Sequence, residues 1–266
     1  MKRRQFQSGE LTFSYLDAEC EGDVLIALHA HCMEAATYTK LAETLAPDWR
    51  VIALDQRGHG YSDHAKTYTR EDCIHDLLAL FTHLDLPSAV LLGNSFGGVN
   101  AYQFAARYPE RVRALIIEDI GAEISADMGF VLAWSGFFGS REDLANKVGS
   151  RFLPYFQDSF RHTSEGWSLA FEPEEIVISQ GNLKGDHWSD WLESHCPALI
   201  IHGRESQVTT LEQMEQMAKR RPDTQLQTLE AGHIVHFDNP SAFTEAVRTF
   251  LNGLQQGRQI SCHLPR

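Results

Sequence analysis

The chain is predicted to fold as an α/β protein: a doubly wound, mostly parallel sheet flanked by helices, with a helical cap inserted between two strands. Three observations carry this prediction. Apolar runs of four or five residues alternate with longer amphipathic stretches, one aromatic-rich segment breaks that rhythm, and a Gly-x-Ser-x-Gly turn joins an apolar run to an amphipathic stretch. With 266 residues, 43% hydrophobic and 22% charged, the chain has the composition of one large globular domain, which excludes collagen-like, disordered and disulfide-scaffold classes.

In chain order, the runs at 24–28, 51–54, 89–92, 114–117 and 198–201 are β-branched or Leu-rich and continuous rather than alternating. That pattern is expected of strands buried on both faces of a parallel sheet. A further strand begins near Leu226 and ends in the Gly loop before His233. Between the runs, residues 69–86 space Cys73, Leu77, Leu80, Phe81 and Leu84 three and four apart, behind a capping-box start at Thr69-x-x-Asp72. Residues 96–107, 210–220 and 240–251 read as helices too, the last with Pro in its first turn. Alternating strands and helices imply right-handed crossovers and the doubly wound sheet.

Residues 121–195 contain no convincing buried strand, yet they hold 12 of the 27 aromatic residues and four of the five tryptophans. A solvated loop of that length and aromaticity is excluded on physical grounds, so the segment is read as the helical cap. The core is assigned to 1–120 and 196–254. From Gly253 periodicity is lost, and 255–266 is assigned to a C-terminal tail.

The 23 Lys and Arg against 36 Asp and Glu give a net charge of −13, which repels polyanions and argues against a nucleic-acid partner. The five cysteines are scattered with no C-x-x-C pair, arguing against disulfides or a zinc site and for a reducing compartment. No apolar stretch approaches the roughly 20 residues of a membrane span, and none follows the basic N-terminus as in a signal peptide, so a cytoplasmic protein is expected.

The sharpest local signal is Gly93-Asn94-Ser95-Phe96-Gly97-Gly98, which follows a strand and opens a helix as a nucleophile elbow must. A serine hydroxyl needs a base, and Gly232-His233, on a loop after the last strand, supplies one; His236 competes. The His29-x-His31 and His233-x-x-His236 spacings lack the carboxylates a metal site would add, and no metal or cofactor is implied.

Leu28-His29-Ala30-His31, Asp55-Gln-Arg-Gly-His-Gly-Tyr-Ser62, the Ser95 elbow and Ala231-Gly-His233, in that order, resemble the α/β-hydrolase fold family along nearly the whole chain. The resemblance implies an oxyanion hole from the backbone N–H groups of Phe96 and His31, although His29-Ala30 stands where His-Gly is usual. Each such donor is worth about 3–4 kcal/mol. The loop from Asp55 is given a supporting role.

The acid departs from the family's common pattern, since Gly203-Arg204-Glu205-Ser206 stands where many members carry Gly-x-x-Asp. In a subset of the family the acid sits instead at the strand end before the cap, here Asp119. Esterase-like members with Ser in the later segment belong to that subset, which favours Asp119 over Glu205; Ser206 is then expected to hydrogen-bond His233. The order Ser95, Asp119, His233 is the family's nucleophile–acid–base order.

The resemblance thus implies a serine hydrolase cleaving a carboxylic ester through an acyl-enzyme, carboxylesterase-like, with Ser rather than Asp at the elbow excluding dehalogenase and epoxide hydrolase branches. Alternatives are a lactonase, a thioesterase, a C–C bond hydrolase using the same three residues, or a non-catalytic ligand receptor. The C–C group generally keeps its acid in the later segment. Trp134, Phe137, Phe138 and Phe156, with Phe130, Phe152 and Phe160, are expected to line a pocket for a small to medium hydrophobic ester. Gly129, Gly136 and Gly139 are hinge candidates, and the oligomeric state is left open.

Overall fold

A computed structural model describes residues 1–262 of the chain. The strands of the main sheet are β1 (Lys2–Ser8), β2 (Leu11–Asp17), β3 (Asp23–Leu28), β4 (Trp49–Leu54), β5 (Ala89–Asn94) and β6 (Val112–Glu118), followed after the inserted segment by β11 (Ala198–Gly203) and β12 (Thr224–Leu229). They lie in the order β1-β2-β4-β3-β5-β6-β11-β12. From β4 to β12 every pairing is parallel, while β1 and β2 form an antiparallel hairpin against β4.

The continuous apolar runs are explained by burial on both faces. Ile26, Leu28, Ile52, Leu54, Leu115 and Ile117 pack on one side with α2 (Arg70–His83), α3 (Phe96–Arg107) and α8 (Leu211–Arg220). Their neighbours Leu25, Ala27, Val51, Ala53, Ala114 and Ile116 pack on the other with α1 (Thr39–Leu45) and α10 (Pro240–Cys262). Successive side chains point to opposite faces, so a strand covered by helices on both sides needs apolar residues throughout. The capping box forms as expected: Asp72 N–H bonds Thr69 Oγ1 at 3.2 Å and Thr69 N–H bonds Asp72 Oδ2 at 2.9 Å. The helix from Pro240 runs well past 251, so the tail assigned from 255 is helical through Cys262; residues 263–266 lie outside the described residues.

Between β6 and β11 the chain leaves the sheet. It forms α4 (Arg141–Val148), α5 (Leu153–Phe156), α6 (Pro173–Leu183), α7 (Trp188–Glu193), the hairpin β8 (Phe160–Thr163) and β9 (Gly166–Leu169), and a short pairing of β7 (Glu123–Ile124) with β10 (Gly185–Asp186). Val131, Trp134, Leu144, Val148, Phe156, Phe160 and Phe171 build a small core that also takes in Ala30, Cys32, Met33 and Ile234 of the sheet's loops. The segment is therefore mixed rather than purely helical. After β12 the chain forms the short α9 (Val235–Asp238), just beyond His233. No helix among the described residues is long and apolar enough to cross a membrane.

Candidate active site

Ser95 sits between the end of β5 and the first residue of α3, at φ 51° and ψ −117°. A non-glycine residue in that region is strained by about 1–3 kcal/mol, and the surroundings hold it there. Ser95 N–H bonds Glu118 O at 3.1 Å, and Ser95 O accepts from Gly98 and Val99 at 2.9 and 3.1 Å. Gly97 must be glycine because a Cβ there would lie 2.2 Å from Leu28 O, which is how closely α3 approaches β3. Asn94 and Phe96 are buried while Ser95 is half-buried, so the turn presents the serine alone.

Asp119, one residue beyond β6, also has a positive φ, 49°. Its carboxylate is fully buried and receives five hydrogen bonds. Gly203 N–H, Thr209 Oγ1 and His202 Nδ1 reach Oδ1 at 2.9, 2.9 and 3.0 Å, while Ser206 Oγ and His233 Nδ1 reach Oδ2 at 2.5 and 2.7 Å. Burial alone raises this carboxyl's pKa, but the bonds from His202 and His233, the His233 charge and Ser206 outweigh it, holding the group well below the usual carboxylate range. The loop carrying His233 packs directly on the end of β11, where a Cβ at Gly203 would stand 2.0 Å from Gly232 O.

His31 and Phe96 stack face to face, ring centroids 4.2 Å apart. Phe96 opens α3, so its N–H has no intrahelical acceptor and lies at the positive end of the helix dipole. His31 Nε2 bonds Ser179 Oγ of α6 at 2.9 Å, and burial keeps the imidazole neutral, its pKa well below the ordinary value. His29 is locked too: Gln56 N–H donates to Nε2 at 3.0 Å, which leaves Nδ1–H to donate to Ala30 O at 2.7 Å. Burial pushes the His29 pKa down to about 4 despite that last bond. The loop carrying His31 is thus fixed without the usual His-Gly pair.

Ser95, His31, His233 and Ile234 line one cavity of about 470 Å³, walled by Ile120, Ile124, Met128, Phe130, Phe152 and Phe156 and by the polar Gln180, Arg151, Gln207 and Gln213. Several pocket expectations need correction. Phe156 lines the cavity, with Phe130 and Phe152, but Trp134 stands behind them, its ring 5.4 Å from Phe152 and 5.8 Å from Phe156. Phe137 is 52% exposed, Phe138 pairs its backbone with Trp167, and Phe160 is in the small core. Ser206 bonds Asp119 rather than His233. Glu205 is exposed, its N–H on Ala231 O. His236, the competing base, turns away to Glu118 Oε1 and Oε2 at 2.9 and 2.8 Å.

The family model described as alpha/beta hydrolase fold matches residues 23–240, most of the chain. The chain belongs to the alpha/beta-hydrolase fold family. It is 28% identical over 218 residues to 3-oxoadipate enol-lactonase 2 of Acinetobacter baylyi, covering 76% of this chain and 78% of that protein. It is 23% identical over 243 residues to a putative esterase/lipase of Haemophilus influenzae, covering 86% and 83%. The crystal structure of an E-2-(acetamidomethylene)succinate hydrolase superposes with a TM-score of 0.86 at 22% identity, covering 94% of this chain and 99% of that one. Within this alpha/beta-hydrolase family member, sequence reasoning missed His202 and Thr209 on Asp119, the Glu118–His236 pair, and the polar wall of the cavity. Their partners lie dozens of residues away, and no local spacing marks them.

Proposed function

We propose that this alpha/beta-hydrolase family member is a serine hydrolase that cleaves a carboxylic ester through an acyl-enzyme, with Ser95, His233 and Asp119 as nucleophile, base and acid. The observation that supports it most is the 2.7 Å bond from His233 Nδ1 to the buried Asp119 carboxylate, made at the wall of the cavity that Ser95 also lines. That bond leaves Nε2 as the proton-accepting nitrogen, the tautomer a general base requires.

In the proposed cycle His233 Nε2 takes the Ser95 proton as Oγ attacks the ester carbonyl. The N–H groups of Phe96 and His31 receive the oxyanion. His233 then protonates the departing alcohol and deprotonates the water that releases the acid. Residues 121–195 serve as the cap that shapes the acyl pocket, consistent with Phe130, Phe152 and Phe156 on its wall. The free Cys20, Cys32, Cys73 and Cys196 favour a reducing, cytoplasmic setting for it.

The test is p-nitrophenol release from acetate, butyrate and octanoate esters by wild type and Ser95→Ala. Turnover with a pre-steady-state burst in wild type, and loss of both in Ser95→Ala, is expected. Equal rates in the two proteins would refute the acyl-enzyme reading.

A further inference from the structure

The cavity has an uneven distribution of charge. Glu123, Asp127 and Arg151 are the acidic and basic side chains among its lining residues, apart from the imidazoles of His31 and His233. Both acids are engaged: Glu123 Oε1 accepts from Trp188 Nε1 at 2.7 Å, and Asp127 bonds Lys184 Nζ and Gly129 N–H at 2.9 and 2.8 Å. Arg151 is the one Lys or Arg on the wall, and no ion pair joins it to an Asp or Glu among the described residues. Its Nη2 donates to Gln207 Oε1 at 2.7 Å and its guanidinium lies 5.3 Å from the Phe152 ring centroid. Arg151 and Gln207 are both exposed, and these two neutral contacts leave most of the five guanidinium N–H donors without a partner among the described residues.

We infer that Arg151, steadied by Gln207, binds a free carboxylate at the far end of the substrate's acyl half, so that the substrate is a half-ester of a dicarboxylic acid. This rests on the acyl-enzyme reading. A guanidinium fork matches a carboxylate in two parallel hydrogen bonds, and it holds that match better than an ammonium does. The chain's net charge of −13 repels anions in general, so a cation on the pocket wall with no acidic partner among the described residues supplies a local attraction for one. Phe130, Phe152, Phe156 and Ile234 provide the apolar wall along which a methylene spacer fits. The acyl half is the one anchored because it stays bonded to Ser95 after the alcohol leaves, so the contact serves both acylation and deacylation. The substrate then carries a charge at its far end, an addition to the small to medium hydrophobic ester expected from the sequence.

The experiment compares mono-p-nitrophenyl glutarate and adipate with p-nitrophenyl butyrate and pentanoate in wild type, Arg151→Ala and Arg151→Lys. Wild type is expected to prefer the acid-tailed esters. The ratio of kcat/KM for acid-tailed over neutral ester should fall at least tenfold in Arg151→Ala, mainly through KM, with partial recovery in Arg151→Lys. An unchanged ratio, or an equal fall for both ester types, overturns the proposal. Calorimetric titration with adipate and adipamide separates this from failure of the acyl-enzyme reading, because it needs no turnover. Adipate binding by wild type that is lost in Arg151→Ala supports the anchor, and no preference of wild type for adipate over adipamide refutes it.

Discussion

Two neighbouring residues, Glu118 and Asp119, each hold a histidine from one short segment, and only one of the pairs reaches the cavity. Asp119 holds His233, whose side chain is 23% exposed and lines the cavity. Glu118 holds His236, 4% exposed, with its ring and its backbone N–H both on the carboxylate and its Nε2 only 2.6 Å from Thr37 Oγ1. The chemistry of the contact is the same, so a carboxylate on an imidazole does not by itself make a proton relay. What separates the two is the surroundings of the ring, since His233 lines the cavity and His236 is closed off by Thr37. The sealed pair serves as the anchor for the open one: it fixes the start of α9, while Asn94 Nδ2 holds His233 O at 3.2 Å.

The largest expected effect comes from disabling the open pair. Asp119→Asn should lower kcat for the p-nitrophenyl esters by about 10³–10⁴, because an amide in that place favours the wrong imidazole tautomer. Near-normal turnover in this variant would remove Asp119 from the acid's role.

Disabling the sealed pair should act on stability instead. His236→Ala leaves the Glu118 carboxylate buried without its partner and should cost about 3–5 kcal/mol, read from urea unfolding. Its kcat per folded molecule should stay within about tenfold of wild type. A loss of kcat as deep as that of Asp119→Asn, at unchanged stability, would erase the distinction between the pairs.

A smaller effect follows from the other enclosed imidazoles. Burial holds the pKa of His29 down to about 4 and of His59 to about 3, against 6.5 in the unfolded chain. Between those values the unfolded chain binds protons that the native state does not, so stability falls as pH drops from about 6.5 toward 4. Each imidazole contributes up to about 3 kcal/mol to that loss. Asp119, with its pKa depressed in the native state, stabilises above the ordinary carboxylate range and adds to the loss only below it. Urea unfolding at pH 7, 6, 5 and 4.5 checks this, and a flat profile would show that His29 and His59 are not held neutral.

The parts of the fold that the sequence makes legible are those in which the determining residues are contiguous. The five buried runs, the Ser95 elbow and the capping box at Thr69 are all local patterns, and each forms where expected. The β1–β2 hairpin went unread because β1, Lys-Arg-Arg-Gln-Phe-Gln-Ser, buries only Phe6 at an edge of the sheet. The inserted segment read as helical because rings at irregular spacing carry no period, and β8–β9 is a hairpin of four-residue strands. The aromatic residues there were countable, but which of them face a cavity depends on how short helices pack. At the site itself, His202 and Thr209 reach Asp119 across 83 and 90 residues, and His236 reaches Glu118 across 118. Contacts over such separations depend on the strand order, which brings β6 and β11 side by side.

That adjacency also separates an acid's address on the chain from its location in space. The Asp119 carboxylate and the Ser206 hydroxyl meet at 2.5 Å, one arriving from the end of β6 and the other from the loop after β11. Two strand ends therefore share a single seat beside the imidazole, and whichever end does not bring the charge is free to bring donors to it. A chain wired in this way is overlooked by any search that counts residues from the histidine back to an acid, although the histidine meets the same negative oxygen.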